Sequence, residues 1–161
     1  MDEASAPDVG VDEASLVDSL AAFLDELERA IAGRPVETLV RPASDGGWGV
    51  IENLCHLRDW EEVFLARARA LVEQDRPSLP AYDDELWAIE RDYRGQDPMR
   101  VVQRFRALRA DLVALLRGAD PVAWSRVGVH EVHGEVTLRW LAEQAYRHGD
   151  EHLGQIREAL A

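Results

Sequence analysis

Lysine is absent: all 18 basic side chains among the 161 residues are arginine, so chemistry through a lysine Schiff base is excluded. A single cysteine, Cys55, rules out an intrachain disulfide framework and any cysteine-rich metal cluster. With 7 prolines and 11 glycines the chain is neither fibrous nor compositionally disordered. Apolar residues nowhere run unbroken for the roughly 18 positions that a membrane span needs, so no membrane partner is expected. Residues 1–15 lack both a basic n-region and an apolar h-region, which predicts a cytoplasmic protein. Positive charge is scarce as well. The 31 acidic residues leave a net charge of -13, a field that repels phosphate backbones and argues against nucleic acid as a partner.

What is present is helical. At 161 residues and 47% apolar content, the chain has the size of one domain and can bury roughly two thirds of its unfolded surface. Residues 1–11 are small, acidic and aperiodic, predicting a flexible tail, with a single domain over 12–161. Leu16, Leu20, Phe23, Leu27 and Ile31 recur at steps of three and four, the apolar stripe of an amphipathic helix that Gly33 and Pro35 end. A second stripe, Ile51, Leu54, Leu57, Trp60, Phe64, Ala68 and Leu71, predicts a helix over 49–74. A short helix is expected within 82–93. Asp97 followed by Pro98 is an N-cap with proline at the first helical position, opening a third long helix that Gly118 ends. Residues 126–136 read as irregular or briefly extended, without a convincing strand, and Thr137 caps a last helix over 138–160. The fold class expected is all-α, an up-down four-helix bundle.

In the last helix, Leu138, Leu141, Ala145, His148, His152, Ile156 and Leu160 occupy one stripe, so two histidines stand where leucines would be expected. Residues four apart differ by only about 40° around a helix, which lets both imidazoles converge on one ion. Two hydrogen-bonded interior histidines would fit the same spacing; a third ligand decides between the two. His56, on the flank of the second helix's apolar arc, supplies that ligand if the second and last helices pack side by side. Three neutral imidazoles would leave coordination positions open for water or substrate, the geometry of a reactive site.

Other groups compete for a role. Glu151 makes the last motif H-x-x-E-H and is a candidate general base, a partner of a ligand, or a solvated residue. His130 and His133 form an H-x-x-H pair expected in an exposed loop, with a role at the mouth of a cavity as the alternative. Cys55 adjoins His56 but points about 100° away from it, which places it on the outer face of its helix rather than at a nucleophile's position. Asp59, nearly one turn after His56, reads as an exposed carboxylate, with a partner of that ligand as the alternative. Arg100, Arg104, Arg106 and Arg109 read as a solvated, salt-bridged face, and Trp140, off the stripe of the last helix, as a surface or subunit contact.

Taken in order, Trp48, Glu52, His56 and Leu57, followed by His148, Glu151, His152, Gln155 and Ile156, resemble the DinB-like, or YfiT-like, bundles over about residues 15–160. The resemblance implies that His56, His148 and His152 hold one divalent ion, nickel or zinc. It further implies thiol-dependent S-transfer to a small electrophile, with a low-molecular-weight thiol as cosubstrate, because an open divalent centre can bind a thiol as thiolate. The same centre could activate water for hydrolysis, or only pin two helices together without catalysis. A small-molecule substrate and a homodimer complete the expectation.

Overall fold

The computed structural model describes residues 12–161, and the tail expected over 1–11 lies outside them. Helix α1 (Glu13–Ile31) starts where the Asp12 side chain accepts the Ser15 N–H at 2.7 Å, and it buries Leu16, Val17, Leu20, Phe23, Leu27 and Ile31. Helix α2 is a single turn, Val36–Leu39. Helix α3 (Val50–Glu73) opens with the Glu52 carboxylate accepting the Gly49 N–H at 3.1 Å. Helix α5 (Pro98–Gly118) is capped by Asp97, and α6 (Leu138–Leu160) by Thr137, whose hydroxyl accepts the Trp140 N–H at 3.1 Å. Between α3 and α5 run strand β1 (Ser78–Leu79), helix α4 (Asp84–Glu90) and a 3₁₀ turn over Tyr93–Gly95. Among the described residues no helix is long and apolar enough to cross a membrane.

The four long helices form the expected bundle, and ion pairs between them reveal its order. On α1 and α5, Asp18 meets Arg117 and Glu28 meets Arg106, so these helices are antiparallel. On α1 and α6, Glu13 meets Arg139 and Glu26 meets Arg157, so these run in the same direction. Helix α3 also packs against α5 and α6, so α1 lies diagonally across from α3 and α5 from α6, while α3 and α5 are neighbours. The up-down alternation holds from α1 to α3 and from α5 to α6. The crossover at 74–97 restarts α5 in the direction of α3, and it lays α4 along the outside of α3.

Extended structure is present where none was convincing from the sequence. Strands β2 (Val127–His130) and β3 (Gly134–Thr137) form an antiparallel hairpin, and β1 adds to β2 in parallel register, Ser78 with Val129 and Leu79 with His130. Strands this short bury too few side chains to leave a period-two pattern, and β1 exists only because β2 offers it an edge.

Gly49, just before α3, has its backbone against another loop: a Cβ there would stand 2.6 Å from the Arg41 carbonyl oxygen. Gly49→Ala should therefore displace that loop and lower stability by about 1–3 kcal/mol, read as a drop in the thermal midpoint with the helical circular dichroism retained.

Candidate metal centre

Helices α3 and α6 are adjacent and antiparallel, which sets Asn53 and His56 of one against His152 and His148 of the other. One ring nitrogen from each of His56, His148 and His152 lies within 4.8 Å of the others. The Nε2 atoms of His56 and His148 are 3.0 Å apart. Two nitrogens bound to one ion at about 2.1 Å, across a tetrahedral or octahedral angle, stand about 3.0–3.4 Å apart, so this spacing suits a shared ion. His152 is oriented by its neighbour: its Nδ1 is 2.8 Å from Asn53 Oδ1, while the Asn53 amide nitrogen donates to the Gly49 carbonyl at 2.9 Å. That second bond fixes which way the Asn53 amide faces, so His152 Nδ1 carries the proton and its Nε2 lone pair is free for a cation.

The three imidazoles are held neutral. Burial, then the charge of His152, lowers the pKa of His56 to about 4, against the opposing pull of Asp84 and Asp59. Burial likewise holds His148 well below its ordinary value, reinforced by His152, His56 and the Arg109 cation, and it lowers His152. Neutral nitrogens with available lone pairs are what a divalent ion requires, and the donor set fits one. Aromatic rings wall the cluster: Trp48 lies 4.8 Å from the His56 ring, with Trp60 and Phe64 at 5.8 and 5.6 Å from that of His148.

Several groups sit where sequence periodicity alone does not place them. Asp84, on the crossover, brings Oδ2 to 3.9 Å from His56 Nε2 and accepts the Trp60 indole N–H at 2.9 Å. No local pattern marks it, because its approach depends on how α4 lies against α3. Asn53 did carry a signal, standing one turn before His56. Asp59, expected to be exposed, is 4% exposed: it pairs with Arg58 and Arg91 and accepts the Tyr93 hydroxyl at 2.6 Å. The crossover covers that face of α3, and so it also covers Cys55, which is buried rather than on an outer face. Burial raises the Cys55 thiol to about 12, leaving it an inert core group.

Glu151 is exposed and outside the histidine cluster. His133 is exposed as expected. His130 is instead buried at the end of β2, where its Nδ1 accepts the N–H groups of Val132 and His133. Trp140 is half-buried, packing on the core and on the rings of His130 and His133. The α5 arginines divide: Arg104 and Arg106 pair with Glu62 and Glu28 at the surface, whereas Arg109 is buried against Glu61.

Comparison with known proteins agrees with this architecture. The chain is 25% identical over 134 residues to the "Putative metal-dependent hydrolase YfiT" of Bacillus subtilis, covering 83% of this chain and 75% of that protein. It is 23% identical over 143 residues to a "Putative metal-dependent hydrolase" of Oceanobacillus iheyensis, covering 88% and 82%. The solved structure of YfiT from Bacillus subtilis superposes with a TM-score of 0.86 at 22% identity, covering 96% of this chain and 91% of that one, and it is described as having an unusual four-helix bundle topology. At that identity the likeness establishes the fold. The sequence pattern of the DinB superfamily matches residues 19–156, so three histidines on two antiparallel neighbouring helices belong to a chain that is a member of the DinB superfamily.

Proposed function

We propose that this protein is a divalent-metal-dependent enzyme in which His56, His148 and His152 hold one ion, nickel or zinc, and that it transfers a low-molecular-weight thiol to a small electrophile. The observation that carries the reading is the spacing, within 4.8 Å, of three neutral imidazole nitrogens, two on buried side chains and one on a half-buried one. A divalent ion held there supplies Lewis acidity, lowering the pKa of a thiol or a water that binds beside the histidines. The chain's own residues do the rest. Asn53 holds the His152 tautomer, the rings of Trp48, Trp60 and Phe64 exclude bulk water, and Asp84 stands at the rim, where a carboxylate can take up a proton.

Hydrolysis is the second reading, favoured by the position of Asp84 and by the names given to the relatives. Protein loaded with nickel or zinc should consume an aryl halide only when a small thiol is added, and chelation should abolish the turnover. Thiol-independent cleavage of an activated ester would replace S-transfer with hydrolysis. Loaded protein that does neither would overturn the enzyme reading in favour of a metal-binding module.

A further inference from the structure

Two arginines are buried in the bundle, and they differ in how they are satisfied. Arg109 is paired by both carboxylate oxygens of Glu61. Arg67, on α3, is 6% exposed, yet among the described residues no carboxylate is within ion-pair reach, and its buried Nε has no hydrogen-bond partner. Its Nη2 donates to the Pro80 carbonyl at 2.6 Å, and its guanidinium lies 5.5 Å from the Trp60 ring centre and 5.7 Å from that of Tyr82. In a chain carrying 31 acidic residues, a buried cation without a counter-ion is a vacancy for an anion from outside.

The place of this cation relates it to the histidines. Trp60, which stacks on Arg67, also stands 5.8 Å from the His148 ring and donates its indole N–H to Asp84. One indole is therefore in contact with both the guanidinium and the cluster. Tyr82, the second ring beside the guanidinium, is 46% exposed and packs on Trp87.

We propose that Arg67 recognises a carboxylate on a small substrate, binding it beside Trp60 and Tyr82 so that the substrate's reacting end lies across Trp60 at the three histidines. This rests on the metalloenzyme reading for its catalytic meaning, though the anion site itself does not need the ion. Arginine's planar fork matches a carboxylate, and the flanking rings suit a substrate with an apolar body.

Benzoate is a suitable probe, read by tryptophan fluorescence, with neutral benzamide as its control and inorganic phosphate as a competitor. Benzoate should bind saturably and more tightly than benzamide, both to the wild type and to metal-free protein carrying His148→Ala and His152→Ala. Arg67→Gln should weaken benzoate at least tenfold while leaving benzamide unchanged, and Arg67→Lys, which keeps the charge, should retain part of the binding. Equal binding of benzoate and benzamide, or benzoate binding indifferent to both substitutions, would make Arg67 a strut between α3 and the crossover and overturn the proposal. Phosphate binding more tightly than benzoate would overturn the carboxylate assignment. Retained Arg67-dependent benzoate binding in a protein without turnover would sink the enzyme reading while leaving the anion site standing.

Discussion

Alanine at both His148 and His152 should leave a folded bundle that no longer retains a divalent ion, with affinity for zinc or nickel lower by at least about a thousandfold. The ground for so large an effect is that closed imidazole or thiolate sites bind zinc with about 10–16 kcal/mol, so each ligand is worth several kcal/mol. Removing two of three nitrogens leaves His56 alone, an ordinary monodentate side chain. Elemental analysis of untagged protein should find about one ion per chain in the wild type and almost none in the variant. Asn53→Ala provides a graded companion: it removes the acceptor for His152 Nδ1 without touching a ligand, so the loss should be about 10–100-fold. Stability without metal should fall by about 1–3 kcal/mol in the histidine variant, because the smaller side chains leave space and Asn53 Oδ1 loses its partner, so folding is checked by helical circular dichroism. A wild-type protein that takes up neither zinc nor nickel would end the metal reading.

The second large effect concerns stability. Arg109 and Glu61 are 1% and 2% exposed in their side chains, and the guanidinium also donates to the Leu20 carbonyl at 3.1 Å while lying 5.0 Å from the ring centres of Phe23 and Phe105. Glu61→Ala should cost about 3–5 kcal/mol, because it strands a cation in the core rather than because the pair itself is strongly stabilising. For a domain of this length that lowers the thermal midpoint by on the order of 10 °C. Arg109→Met together with Glu61→Leu should recover much of the loss, since apolar groups of similar volume need no counter-charge. The test is a double-mutant cycle by denaturant unfolding; additive losses would show that the pair does not act as a unit. The Arg109 cation also helps hold His148 neutral, so its removal reaches the site indirectly.

Much of the bundle was legible because helices leave a period. Leu16 through Ile31 and Leu138 through Leu160 each repeat an apolar position every three or four residues, and the caps Asp97 and Thr137 stand where helices begin. The same periodicity put His148 and His152 on one face and offered His56 on the flank of the second stripe, which the resemblance then joined to them. Asp59, Cys55, His130 and Arg109 were misplaced for one shared reason: their burial is conferred by segments distant in sequence. Asp59 and Cys55 are covered by the crossover. Arg109 finds its partner 48 residues earlier in the chain.

Local sequence by itself therefore determined where the helices are and which side chains share a face, since backbone geometry converts spacing into direction. It also left histidine, rather than cysteine or lysine, as the chain's candidate ligand for an ion. Only the tertiary structure decided that α3 lies beside α6 and not α1, which brings His56 to the other two histidines. It alone placed Asp84 at the rim and left Arg67 buried with no carboxylate in ion-pair reach among the described residues. Such facts depend on contacts between segments far apart along the chain, and a solvated and a buried charge are identical until those segments meet.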